Sequence, residues 1–200
     1  MYVPDHFREA RPEVLHEAIR RIGFATLVTH DAQGGLDANH MPMLLENGVL
    51  RGHVARANPV WKAGDGEALA IFLGPHAYVS PNWYPSKAET GKAVPTWNYI
   101  TVHAKGRIRW LQDAAWLRAH VTRLSDTHEA TRADPWSIGD APDSYIETML
   151  RGIVGFELTV TQLDGKYKLT QNRDAADREG VRAAFEREGR EELARLMDLS

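Results

Sequence analysis

The stretch Ala38-Asn-His-Met-Pro-Met-Leu-Leu-Glu-Asn-Gly-Val-Leu-Arg-Gly-His-Val-Ala-Arg56 decides the class of fold. At its centre, Asn47-Gly48 is a strong hairpin signal, because a two-residue type I′ turn needs positive φ at both positions. With the turn there, Met41, Met43, Leu45, Leu50, Gly52 and Val54 fall on one face of a β-ribbon. His40, Pro42, Leu44, Arg51, His53 and Ala55 fall on the other. The first set is a core face. The second is half polar and half apolar, a surface to be covered by a helix, a second subunit or a ligand.

Upstream, Arg11 to Ile22 carries apolar residues at three- and four-residue spacings and reads as a helix stopped by Gly23. Residues 23–30 read as a strand and 31–35 as a turn. Downstream, 68–74 and 76–80 read as one strand, or as two interrupted at Gly74-Pro75. Residues 81–95 form a long loop, and 96–111 a long alternating strand bent near Gly106. Asp113 caps a helix over 114–124, and a second helix spans about 142–151. Residues 152–163, Asp164-Gly165 and 166–172 read as another hairpin. These elements predict a mainly β fold with peripheral helices: six or seven antiparallel strands in a closed or nearly closed barrel, without βαβ alternation.

The division expected is a barrel over 1–173, with inserted helices at about 113–151, and a tail over 174–200. The tail holds eight acidic and five basic residues. It reads as helix broken at Gly180 and Gly189. Its sparse apolar positions, Val181, Phe185, Leu193, Leu196 and Met197, suit a solvated amphipathic helix lying on the barrel.

Composition narrows the function. The chain has 200 residues, a net charge of −3 and no cysteine. Disulfide scaffolds, thiolate metal sites and thiol nucleophiles are therefore excluded, and a generic polyanion binder is disfavoured. No signal peptide or apolar run of ~20 residues is visible, so a cytoplasmic protein with no membrane span is expected. Metal motifs are absent: His120 and His128, eight apart on a helix, sit ~12 Å from one another and read as surface or interface residues. GxSxG, SxxK, P-loop and GxGxxG patterns are absent too. A phosphate cradle is suggested by His53, Arg56, Asn58 and Lys62, where a strand runs into a helical turn, although a strand-end Arg also reads as a solvated charge. All six tryptophans lie between Trp61 and Trp136. Trp83-Tyr84, Trp97-Asn98-Tyr99 and Trp136 set flat rings beside amides and hydroxyls, as a flat ligand, a core or a dimer interface would use them.

Met1 to Phe7, Gly52-His-Val-Ala-Arg-Ala-Asn-Pro59, Gly74-Pro-His-Ala-Tyr-Val-Ser-Pro81, Trp83-Tyr-Pro-Ser-Lys87, Val94-Pro-Thr-Trp-Asn-Tyr99 and Gly165-Lys-Tyr-Lys-Leu-Thr-Gln-Asn-Arg173 carry a resemblance. Together they resemble the PaiB family, described as FMN-binding negative transcriptional regulators. The resemblance implies an FMN-binding split barrel similar to pyridoxamine phosphate oxidase, a homodimer with FMN at the subunit interface. It implies His53, Arg56, Asn58 and Lys62 on the phosphate side. Trp97, Asn98 and the strand carrying Lys168, Gln171 and Asn172 are implied as walls. A regulator or flavin-linked sensor is the function implied. An FMN-dependent oxidoreductase and a haem-binding split barrel are the alternatives, with no catalytic residue assigned. DNA remains an open partner, since Lys105, Arg107 and Arg109 make only a thin basic strand face.

Overall fold

The computed structural model describes residues 1–31 and 33–198. Along the chain run β1 (Arg8–Glu9), α1 (Pro12–Ile22), β2 (Phe24–His30), β3 (Leu36–Pro42), β4 (Leu44–Glu46) and β5 (Val49–Ala55). Then come β6 (Gly66–Val79), α2 (Ser86–Thr90), β7 (Thr96–Leu111), α3 (Ala114–Glu129), α4 (Asp143–Arg151) and β8 (Ile153–Lys168). Helices α5 (Ala175–Arg187) and α6 (Glu191–Asp198) follow. Hydrogen bonds order the strands β3-β2-β6-β7-β8-β5-β4, with β1 added beside β8. The fold is the mainly β, antiparallel one with peripheral helices that the sequence predicts. Among the described residues there are eight strands rather than six or seven, because β1 and β4 are only two and three residues long.

The turn at Asn47-Gly48 forms with positive φ at both residues, 50° and 77°. Its register is the predicted one, with Leu45 opposite Leu50 and Leu44 opposite Arg51. The ribbon then splits. Pro42 has no N–H with which to continue a ladder, and the Met43 N–H turns instead to the Gly23 carbonyl at 2.8 Å. Strand β3 pairs with β2, from Phe24 opposite Pro42 to His30 opposite Leu36. Strand β5 pairs with β8, from Val49 opposite Thr159 to Ala55 opposite Ile153.

Two compact units share the chain. One comprises residues 1–18, 72–103 and the stretch from Leu163 through the C-terminal helices; the other comprises 19–71 and 104–162. In the first unit, Val79, Tyr84, Ile100 and Leu169 pack with Val181, Phe185, Leu193 and Met197. The five apolar positions picked out in the tail, Val181, Phe185, Leu193, Leu196 and Met197, all lie in this core. Helix α5 also runs through Gly180, which the sequence reading made a break. A Cβ at Gly180 would lie 2.1 Å from the Trp83 carbonyl oxygen, so this glycine admits a backbone. The real break is Gly189, at φ 70°.

The hairpin expected at Asp164-Gly165 is absent. Strand β8 runs straight through, because Gly165 serves close approach rather than a turn. A Cβ there would lie 2.3 Å from Leu15 Cδ2 and 2.8 Å from the Glu9 carbonyl oxygen. The strand expected to reach Asn172 stops at Lys168, and Thr170 follows at φ 69°. Strand β6 passes unbroken through Gly74-Pro75, while the long loop over 81–95 contains α2 and a helical turn at Pro81–Trp83.

In the second unit, Ala25, Leu27, Met41, Met43, Leu50, Val54, Phe156 and Leu158 are buried. This bears out the core face of the opening stretch, except that Leu45 is only half-buried. A smaller apolar cluster joins α3 to α4 through Leu117, Ile146 and Leu150. Asp113 caps α3 by accepting from the Trp116 N–H at 2.7 Å, and the helix continues to Glu129 rather than stopping at 124. Among the described residues, no helix is long and apolar enough to cross a membrane.

Candidate functional site

The residues singled out in the sequence fall into two groups, one in each unit. His53, Arg56, Asn58 and Lys62 belong to the second unit. His53 lies on the outer face of β5, the half-polar face that needed a cover. In its stretch from Arg51 to His53 the cover is α3: His53 Nδ1 meets His120 Nε2 at 3.2 Å. His120 is wholly buried, which corrects its reading as a surface or interface residue. Trp116, one helical turn earlier, stacks on its ring at 5.2 Å between centroids. That indole fits because Gly155 of β8 leaves it room; a Cβ there would lie 2.1 Å from the ring. The available signal was the four-residue spacing of Trp116 and His120 on the helix face that carries Leu117 and Leu124.

Charged groups ring this pair. Glu157 accepts from Arg51 Nε at 2.9 Å, Arg109 at 2.9 Å and the Trp116 indole at 3.3 Å. Arg51 also reaches Glu46, which pairs with Arg123 at 3.3 Å. Burial opposes ionisation of Glu157, but the Arg51, Arg109 and Trp116 hydrogen bonds hold its carboxyl below the ordinary value. Burial lowers the His53 pKa. It pushes His120 down to about 4, helped by His53, Arg123 and Arg51.

Arg56 is engaged inside the protein. Its guanidinium donates to the Arg151 carbonyl at 2.7 Å, Gln112 Oε1 at 2.7 Å and the Ile153 carbonyl at 3.1 Å. It lies 5.9 Å from the Trp61 ring, whose N–H returns to the Arg56 carbonyl at 3.0 Å. Asn58 caps the Pro59–Ala63 turn by accepting from the Val60 N–H at 3.0 Å. Its amide donates to Asn39 Oδ1 at 2.6 Å, tying the turn to β3. Lys62 is exposed on that turn, with no partner for its ammonium among the described residues.

The second unit also presents a feature that the opening pattern only half revealed. Phe24, Thr26 and Val28 of β2, Leu36, Ala38, His40 and Pro42 of β3, and Leu69 and Ile71 of β6 share one outward sheet face. Phe24 is 56% exposed and Leu36 77%. The polar pair within this face is Thr26 Oγ1 and His40 Nδ1, 3.0 Å apart. The basic face of β7 is neutralised by comparison: Arg107 pairs with Glu67 at 3.2 Å and Arg109 with Glu157 at 2.9 Å.

Trp97, Asn98, Lys168, Gln171 and Asn172 belong to the first unit and point in different directions. Trp97 is half exposed beside Tyr78 and His76, at centroid distances of 6.2 and 6.3 Å. Asn98, the next residue along β7, faces inward and is buried against Thr170. The Lys168 ammonium donates to Thr96 Oγ1 and lies 6.0 Å from the Phe7 ring; burial lowers its pKa. Gln171 closes a local turn, accepting from the Leu169 N–H at 2.6 Å and donating to the Tyr167 carbonyl at 2.6 Å. Asn172 is exposed.

Residues 1–162 match the model of a family described as "Putative FMN-binding domain". An uncharacterised protein of Emericella nidulans, AN0679, is 34% identical over 230 residues, covering 94% of this chain and 92% of its own. The "Protease synthase and sporulation protein PAI 2" of Bacillus subtilis is 31% identical over 207 residues, covering 99% and 97%. In fold, the chain is similar to the FAD- and haem-binding protein of Mycobacterium smegmatis, with a TM-score of 0.63, 14% identity, and coverage of 86% and 78%.

Proposed function

The chain belongs to the PaiB family of FMN-binding domains, and from that premise we propose that it is a homodimeric flavoprotein acting as a cytoplasmic regulator or flavin-linked sensor. The observation that carries this reading is the outward face of β2, β3 and β6. A sheet face that sets Phe24, Val28, Leu36, Ala38, Leu69 and Ile71 towards water is too apolar to stay uncovered. A second copy of the chain and the flat ring of FMN are covers of matching chemistry. FMN supplies the electron-carrying chemistry; the chain supplies binding and orientation.

The residues present fit such a ligand. Lys62 offers an unpaired ammonium for the phosphate, and His53 has a ring nitrogen without a partner. Asn58 and Arg56 shape the strand end that carries them. Asn98, Lys168 and Gln171 are held in internal hydrogen bonds, so we assign them to the scaffold.

The purified protein should be yellow, or should quench added FMN at micromolar concentration. It should run as a dimer in light scattering, and Leu36→Asp should make it a monomer. A colourless protein that leaves FMN fluorescence unchanged refutes the flavoprotein reading. A monomeric wild type refutes the dimer. Turnover of NADH or NADPH above that of free FMN would favour an oxidoreductase over a regulator.

A further inference from the structure

His120 lies outside every residue set assigned above, and its ring poses a question of proton placement. One nitrogen, Nε2, faces His53 Nδ1 at 3.2 Å. The other, Nδ1, is buried and has no hydrogen-bond partner. A buried N–H without an acceptor costs about 1–3 kcal/mol, whereas a bare lone pair is the milder deficit. The proton of a neutral His120 therefore belongs on Nε2, from where it donates to His53 Nδ1. Once Nδ1 of His53 is an acceptor, a neutral His53 carries its proton on Nε2.

The surroundings keep both rings neutral. The charged groups facing the pair are Arg51, Arg109, Arg123, Glu46 and Glu157. Both carboxylates already accept from arginines, so neither is left to stabilise an imidazolium. The rings are oriented mechanically as well: Trp116 stacks on His120, and its indole N–H is anchored to Glu157. Nε2 of His53 has no partner among the described residues and is not sealed from solvent.

We propose that α3 locks His53 as a neutral, pre-oriented Nε2–H donor for a phosphoryl oxygen, with His120 as the positioning residue that sets its tautomer. His53 would then recognise the anionic end of the flavin as a dipole rather than as a cation. The ligand half of this inference rests on the flavoprotein reading; the tautomer half does not.

Long-range proton–nitrogen correlation on 15N-labelled protein reads each ring nitrogen as protonated or bare. His53 in the full chain should hold the Nε2–H form at pH 8. His120→Phe, which keeps a ring against Trp116, should let His53 exchange between its two neutral tautomers. It should also weaken FMN binding up to about tenfold, the loss of one hydrogen bond's orientation. His120→Gln keeps an amide N–H for His53 Nδ1 and should restore both the tautomer and the affinity. Should His120→Phe fail to fold, the wild-type and His120→Gln spectra still decide. A His53 proton on Nδ1 in the wild type at pH 8 overturns the lock. Millimolar inorganic phosphate and FMN are the two probes of the ligand half, and each should shift the His53 Nε2 signal. If FMN is quenched on binding but neither probe moves that signal, the phosphoryl role fails while the flavoprotein stands. If FMN does not bind, the flavoprotein reading fails and the apo spectrum still reports the lock.

Discussion

The side chains of Asn98 and Thr170 bind one another twice. The Asn98 amide donates to the Thr170 hydroxyl at 2.8 Å, and that hydroxyl donates to Asn98 Oδ1 at 3.1 Å. Both residues are buried, and Thr170 holds a positive φ of 69° that a β-branched residue rarely adopts. Asn98 therefore holds the bend after β8. Asn98→Ala should cost about 1–3 kcal/mol in urea unfolding, the range for a buried polar group left without its partner. The FMN dissociation constant of the folded protein should not change. A weakened flavin with unchanged stability would return Asn98 to the site.

Gly180→Ala should reverse a familiar sign. Within an exposed helix interior, Ala is favoured over Gly by about 1 kcal/mol. At Gly180 the added Cβ meets the Trp83 backbone at 2.1 Å, so α5 must move away from the turn that carries Trp83. The expected loss is about 1–3 kcal/mol, typical of overpacking, read as a lower thermal midpoint. A more stable variant would show that this contact yields easily.

Arg56→Ala distinguishes a phosphate ligand from a strut. With its guanidinium on two carbonyls and Gln112, its loss should lower the stability of the FMN-free protein by about 1–3 kcal/mol. Arg56→Lys should not recover it, because an ammonium lacks the planar fork. A variant with unchanged apo stability and weakened FMN binding would make Arg56 a direct ligand.

Stability should fall with acid through His120. Its folded pKa, about 4, lies below the ordinary 6.5, so the unfolded chain takes up a proton that the folded chain resists. The contribution is complete above pH ~7 and is lost as pH falls from about 6.5 towards 4, by up to ~3 kcal/mol. Urea midpoints measured across that window should drop less steeply in His120→Gln. Parallel curves would remove His120 as the cause.

What was legible from the sequence is what neighbours in the chain decide. Asn47-Gly48 forms its turn, Asp113 caps its helix, and α1 ends at Gly23, because each signal acts within a few residues. The exchange of partners at Met43 was not legible: β5 pairs with a strand far along the chain, Glu157 lying opposite Arg51 at a separation of 106 positions. Asp164-Gly165 misled for the same reason. Locally it is turn chemistry, but Leu15 and Glu9, from far along the chain, are what need the missing side chain. The outward apolar face was half visible in His40 and Pro42, while its β2 contribution, Phe24 and Thr26, depended on that same exchange. His120 stayed hidden because nothing on its own helix tells of His53.

Lys166 Nζ donates to the Tyr2 carbonyl at 3.3 Å across 164 positions of chain, and β1 pairs with β8 beside it. Time, rather than strength, is the consequence. A contact that closes so long a loop cannot seed folding, since the entropy of closure must be met before the contact gives anything back. The first unit, assembled from three distant stretches, should be the late event in refolding, with Trp83 fluorescence lagging that of Trp116.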